Sequence, residues 1–450
     1  MRRSDVNMLE GSLIDKIVLF ALPLAASSIL QQLFNAADLA VVGRFASARA
    51  MAAAGSNASV INLLVGVFVG LSVGANVLVA TMIGSGHREK VNEAVHTIYT
   101  IALCSGVFLI FFGMLLSVPI LHMMSAPEDV MELAVLYLRI YFLSMPAIMV
   151  FNFGSAILRS KGDSTRPLIA LLLSGVINVI LNLIFVILFH LHVIGVASAT
   201  VISNYIGAGM VTRFLLTEEE SFRLNFRRLG IKWMHLKRII RIGLPAGMQG
   251  AVFSLSNVVI QSAVNSFGAN AIAGSAAAAN FDFLSYYIIN AFAQSAITFT
   301  GQNYAARKYD RCRKVFRITL LCGGCASFVT VVLFVVFRYR LISLFTTDEA
   351  VIGFAMRRIM NCFILHYLIS TYEITGGCLR GMGYGMVPTV ISIAGTCLFR
   401  LVYIFTYFRS VHTFEALFHV YPYSWILTGI LTLTAYFLIR KKHMPLTSSQ

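Results

Sequence analysis

Charge is what this sequence has least of. Only 12% of its 450 residues are charged, 19 acids against 35 Lys and Arg, where an ordinary soluble domain carries about 25%. With 58% hydrophobic residues and a mean hydropathy of +0.81, that scarcity excludes a soluble globular protein. Long polar loops are missing too, which leaves no room for a soluble domain between the apolar runs. Polar and apolar residues do not alternate over about ten positions, so a membrane β-barrel is excluded. No H-E-x-x-H and no G-x-x-x-x-G-K-[ST] occurs, which removes an intramembrane metalloprotease and an ATP-driven P-loop machine. His190 and His192 have no acidic neighbour, and the chain is read as a non-enzyme without cofactor. Seven cysteines form no secreted framework. The C-x-x-C of Cys322 and Cys325 encloses Gly323 and Gly324 in an apolar run and reads as a small-residue helix contact.

What is present is a series of apolar stretches, each near the ~20 residues that cross a bilayer as a helix. Twelve are read: roughly 17–40, 58–83, 94–118, 133–157, 167–189, 195–216, 239–266, 278–300, 315–337, 354–378, 387–408 and 421–439. Arg2 and Arg3 precede the first run as in a signal peptide, but Asp15 and a polar stripe further on predict a retained helix. The net charge of +16 is unevenly spread. If the N-terminus is cytoplasmic, the inner side receives Arg88, Lys90, Arg159, Lys161 and Arg166. It also receives the clusters Arg223–Arg241 and Arg307–Arg317 and the tail Arg440–Lys442. This is the positive-inside pattern, and it predicts a multi-pass protein of the cytoplasmic membrane with both termini inside. The basic balance therefore follows topology, and nucleic acid is not an expected partner.

The chain repeats itself. Pro23 and Asn35 recur as Pro245 and Asn257, 222 residues on, and "ILRSKGDSTRP" recurs as "CLRGMGYGMVP". In the latter pair, Leu158, Arg159, Gly162 and Pro167 match Leu379, Arg380, Gly383 and Pro388, all 221 apart. The expected organisation is an N-terminal six-helix lobe (1–216), a cytoplasmic linker (217–238) and a C-terminal six-helix lobe (239–450). Six is even, so the repeats enter the membrane from the same side and are parallel. The fold class is an all-α integral membrane protein, twelve helices in two homologous bundles related by a pseudo-twofold along the membrane normal.

An ionised carboxylate costs about 2.5–3.5 kcal/mol at a helix centre in lipid, so an acid there is a functional candidate that needs a partner. Three acids fall well inside helices: Asp38, Asp282 and Glu373. Asp38 ends a stripe with Gln31 and Asn35 at i, i+4 and i+7, one helix face. Pro23, about four turns earlier, removes a backbone donor and makes a hinge for that helix.

The proline early in helix one, N-x-x-D-x-x-x-V-G, G-x-G before a charged loop, and a duplicated LR-x-x-G before proline resemble the MATE family (multidrug and toxic compound extrusion). The resemblance spans about 15–440. It implies a secondary active antiporter that exports amphipathic or cationic organic compounds in exchange for Na⁺ or H⁺. A flippase of a lipid-linked saccharide precursor is the alternative. It further implies that Asp38 works with Asn152 of helix four, Asn178 and Asn182 of helix five, and Thr200 of helix six. Asp38, Asn178, Asn182 and Thr200 would form the site of a bound Na⁺. Many relatives carry a second acid where this chain has Asn182, which leaves one formal negative charge for a hard cation and keeps a proton in play. The site is not duplicated: Ile260 stands at the counterpart of Asp38, and Glu373 at that of Asn152. Glu373 and Arg400 are read either as an ion pair or as transport residues, and Asp282 as a substrate or ion candidate. The partners expected are a small-molecule substrate and the bilayer, with the protein a monomer.

The orientation has a direct check. A cysteine placed at Ser221 is expected to resist an impermeant thiol reagent in intact cells, and one at Ser125 to react. The reverse labelling would invert the topology.

Overall fold

A computed structural model of the chain describes residues 6–45, 48–123 and 128–444. The termini assigned above to the cytoplasm, and Ser125, lie outside these residues. Every regular element described is helical, as lipid requires of a chain whose backbone polar groups must be satisfied within the segment. In order, the long helices are α1 (Ile14–Phe45), α2 (Ala48–Gly84), α3 (Arg88–Met123) and α4, which is broken into Glu128–Phe142 and Met145–Lys161. Then come α5 (Thr165–Leu188) and α6 (His192–Leu216). The second half has α7 (Trp233–Asn265), α8 (Ala269–Ala305), α9 (Tyr309–Val336), α10 (Glu349–Gly381), α11 (Met386–Phe408) and α12 (Phe414–His443).

Among the described residues ten of these are long and apolar enough to cross a membrane on their own, and α4 adds an eleventh across a bend of 46°. The bend follows Leu143 and Ser144, with proline in the first turn of the second piece, where its missing N–H is tolerated. The remaining expected span, 278–300, lies within α8, a continuous helix of 37 residues whose small and polar side chains lower its hydropathy.

The chain folds as two compact units. Of the described residues, one comprises Val6 and 26–247, and the other comprises 7–25 with 248–444. The divisions fall inside α1 and inside α7, after Ala25 and after Gly247, the same 222-residue interval that separates Pro23 from Pro245. Each repeat thus gives the start of its first helix to the unit built by the other. In the first unit, α7 lies backbone to backbone on α2. A Cβ at Gly243 would come within 2.6 Å of Leu71 Cα, and one at Gly247 within 2.5 Å of Val67 O. In the second unit Phe20 is fully buried, edge-on to Phe299 of α8 with centroids 5.8 Å apart. The segment ahead of α1 is held there by its carbonyls: Arg311 donates to Met8 O (3.1 Å), Glu10 O (2.8 Å) and Gly11 O (2.8 Å). Lys308 donates to Leu9 O (3.1 Å) and Asn303 to Met8 O (3.1 Å).

The segment between the halves is pinned to α3 in the first unit. Asn92 Nδ2 donates to Glu220 O and Arg223 O, the Asn225 N–H donates to His96 Nε2 at 3.0 Å, and the Gly230 N–H donates to Thr100 Oγ1 at 3.1 Å. Nearby, Glu218 is 1% exposed and takes Lys161 at 2.8 Å and Arg166, which also pairs with the buried Asp163. Burial pushes the Glu218 carboxyl up, but the hydrogen bonds and charges of Lys161 and Arg166 outweigh it and hold the group below its usual range.

The repeated glycines stop helices. Gly162 (φ 110) and Gly383 (φ 94) are left-handed. At each, the glycine N–H reaches the carbonyl three residues back, and the next N–H reaches the one five back: Gly162 to Arg159 O, Asp163 to Leu158 O, Gly383 to Arg380 O and Tyr384 to Leu379 O. That is the Schellman closure. The two sites differ in surroundings, since a Cβ at Gly162 would strike the Val6 backbone while one at Gly383 meets nothing within 4 Å. Gly383→Ala is therefore expected to cost about 1–2 kcal/mol from handedness alone, and Gly162→Ala clearly more. Thermal melting of the two variants in detergent tests the order, and equal losses would contradict it.

Candidate functional site

The site in the first unit starts from one small residue. Gly175 of α5 has no Cβ, and a Cβ there would run into the ring of Phe34 on α1. The close approach brings the polar face of α1 against α5. Asn182 Nδ2 donates to Asp38 Oδ1 at 2.5 Å and to Asn178 Oδ1 at 3.3 Å. Asn178 Nδ2 in turn donates to Thr200 Oγ1 at 3.4 Å. Asn178 and Asn182, at i and i+4, present their side chains in one column, so a single helix face serves both α1 and α6. Two residues beyond Asn182 the helix widens into a π turn, Ile184–Leu188, a feature frequent at functional sites. Asn182 is fully buried and its Oδ1 has no hydrogen-bond partner.

Beside this chain lies a cavity of about 280 Å³. Gln31, Asn35 and Asp38 line it from α1, Asn152 from α4, Asn178 from α5 and Thr200 from α6. Among the described residues Asp38 is the only carboxylate on its wall, and no Lys, Arg or His lines it. Asn182 stands behind Asp38 and is not part of the lining. Thus the structure gathers in one place every first-half residue singled out from the sequence except Pro23, which stands in the part of α1 belonging to the second unit. It adds Tyr141, Ser174, Ser203 and Asn204. The last two were legible: Thr200, Ser203, Asn204 and Gly207 fall at i, i+3, i+4 and i+7. Tyr141 carries no such signal.

The second-half candidates are arranged differently from expectation. Asp282 of α8 is paired with Arg358 of α10, Oδ2 to Nη2 at 2.5 Å, the side chains 20% and 11% exposed. Arg358 also donates to Ser275 O at 2.8 Å and lies over the Phe418 ring at 5.0 Å. Asp282 is thus one half of a structural ion pair. Glu373 and Arg400 do not pair. Arg400 Nε donates to Ser424 Oγ at 3.1 Å, and its guanidinium lies 4.4 Å from the Tyr421 ring centre, so both of its attachments are to α12. Glu373 stands seven residues before Arg380 on the same helix and hence on the same face. Arg380 donates to Gln249 Oε1 at 2.7 Å. Among the described residues no group of three or more His, Cys, Asp or Glu converges as a metal site.

Twelve helices in two repeats, with a carboxylate-bearing cavity inside one of them, describe a membrane transporter. The MatE family profile matches residues 23–184 and 245–406, one match per repeat. The chain belongs to that family of transporters. It is 28% identical over 395 residues to the probable multidrug resistance protein YoeA of Bacillus subtilis, covering 83% of this chain and 82% of that one. It is 26% identical to the probable multidrug resistance protein NorM of Thermotoga maritima, covering 86% and 84%. A solved outward-facing multidrug resistance MATE transporter superposes with a TM-score of 0.89 over 99% of both chains at 22% identity. That likeness confirms the twelve-helix, two-lobe fold.

The Asp282–Arg358 pair carries a prediction. Asp282→Asn leaves a guanidinium in low dielectric and is expected to cost about 3–5 kcal/mol. The double change Asp282→Asn, Arg358→Gln should recover folded yield and melting temperature relative to Asp282→Asn. Additive losses would show that the pair contributes nothing as a pair.

Proposed function

We propose that the protein is a secondary active efflux antiporter which exports small amphipathic or cationic organic compounds in exchange for Na⁺ or H⁺, with Asp38 as the coupling group. The observation behind this reading is that a lone carboxylate faces the cavity while an amide from behind holds it. In the empty state Asn182 donates to the charged Asp38, which offsets part of the cost of keeping an anion out of water. A cationic cargo in the cavity and a cation at Asp38 both use the same negative charge, so each weakens the other. That competition is what exchange requires. A proton fits because one carboxylate can take it outright. Na⁺ fits because oxygens of Asp38, Asn178 and Thr200 lie within one hydrogen-bonded chain, and the unpartnered Oδ1 of Asn182 offers a further hard ligand.

When Asp38 is neutralised its bond to Asn182 loses its charge assistance and the polar tie of α1 to α5 weakens. Pro23 lacks the N–H that would bond residue 19 and gives α1 a place to bend in response. The orientation proposed is the one read from the charges, both termini cytoplasmic, in the bacterial cell membrane, with the protein working as a monomer. The relatives reported above bear multidrug names, and no observation favours a lipid-linked saccharide as cargo.

Asp38→Asn is nearly isosteric and removes a charge from low dielectric, so the fold should hold. Efflux of a cationic dye from everted vesicles should fall at least tenfold under imposed Na⁺ and proton gradients alike, while dye binding stays measurable. Asn182→Asp adds a second negative ligand and should increase any dependence on Na⁺. Wild-type rates from Asp38→Asn at equal expression, under either gradient, would rule the mechanism out.

A further inference from the structure

The cavity wall has a polarity of hydrogen bonding as well as of charge. Among the described residues three aliphatic hydroxyls line it, Ser174, Thr200 and Ser203, beside the phenol of Tyr141. A hydroxyl has one proton to give, and each of the three gives it to its own helix. Ser174 donates to Leu171 O at 3.0 Å, Thr200 to Val196 O at 2.9 Å and Ser203 to Thr200 O at 3.0 Å. Asn152 sends its amide to Ile148 O at 2.8 Å, and Asn178 sends its amide to Thr200. What those side chains have left for a guest is mostly lone pairs. Gln31, Asn35, Asn204 and the Tyr141 phenol carry both donor and acceptor and do not change the balance, while Asp38 adds an anionic acceptor.

We infer that this cavity selects small organic cations bearing N–H donors, such as guanidinium, amidinium or primary ammonium groups. Fully substituted quaternary cations of the same charge are disfavoured. A donor-bearing cation satisfies the lone pairs that it desolvates. A quaternary cation satisfies the charge of Asp38 but covers the oxygens with methyl groups, leaving buried acceptors without partners. At about 280 Å³ the cavity is also at or below the small end of the ~300–1,000 Å³ range of drug-sized pockets, which favours guests of one ring or a short chain. The inference rests on the export reading and narrows it to a class of cargo.

The test compares two cations that share one ring and one charge, phenylguanidinium and trimethylphenylammonium. Their binding to the purified full chain in lipid nanodiscs is measured by calorimetry. Phenylguanidinium is expected to bind at least tenfold more tightly. Ser174→Ala and Ser203→Ala each delete a lone-pair acceptor and should shrink that ratio at least threefold. Equal affinities, tighter binding of trimethylphenylammonium, or a ratio untouched by both variants would overturn the inference. Gradient-driven efflux of the two cations from everted vesicles separates the two readings. Export of both at equal affinity sinks only the selectivity. Preferential binding of phenylguanidinium without gradient-driven efflux of either cation supports the selectivity and counts against the antiporter.

Discussion

The constraint on which the first unit turns is one negative charge in a lipid-spanning helix. Asp38 is affordable only because α5 stands close enough for Asn182 to reach it at 2.5 Å, and that closeness depends on Gly175 having no side chain where Phe34 sits. Asn182 in turn is kept in register by Asn178, and Asn178 by Thr200. Four residues from three helices therefore share one electrostatic problem, and the cavity opens along the side of Asp38 that the amides leave uncovered. A change in the charge of Asp38 is felt by all of them.

The duplication is kept in the backbone at helix ends and is loose in chemistry. Both halves stop a helix on a left-handed glycine, at Gly162 and Gly383. Where the first half uses Gly86 at the end of α2, the second uses Arg307 at φ 57, accepting a small conformational cost. The chemistry has diverged at the same places. The charged cluster of Lys161, Asp163 and Arg166 is replaced at 221 residues' distance by Met382, Tyr384 and Val387. The acid that faces the first-unit cavity has Ile260 as its counterpart, which is 2% exposed in an apolar cluster. The first repeat places its acid at a cavity, and the second ties one of its two acids, Asp282, to Arg358.

Much of this was legible because helical spacing is short-ranged. Gln31, Asn35 and Asp38, or Asn178 and Asn182, announce a shared face within two turns, and the internal repeat supplies the long-range alignment that locates the helices. Pairing between helices is another matter. Asp282 and Arg358 are 76 residues apart, and nothing in either neighbourhood marks the other, so Asp282 looked like a site residue. Glu373 and Arg400 were matched by analogy with neighbours in the first repeat. Side-chain direction decided otherwise, because Arg400 turns to Ser424 and Tyr421 while Glu373 shares a face with Arg380. The segment 217–238 read as a plain connector because its basic residues are visible in sequence, whereas the hydrogen bonds that fasten it to α3 run mostly from its backbone.

The reciprocal sharing of α1 and α7 bears on how the protein is made. The carbonyls of Met8, Leu9, Glu10 and Gly11 are captured by Asn303, Lys308 and Arg311, groups synthesised roughly three hundred residues later. Residues 8–11 thus wait through the synthesis of some three hundred residues for their partners. The first unit is itself unfinished until the opening turns of α7 have emerged. Neither repeat is a self-sufficient folding unit, and a chain interrupted midway leaves the membrane-insertion machinery holding one incomplete bundle and one orphaned helix start.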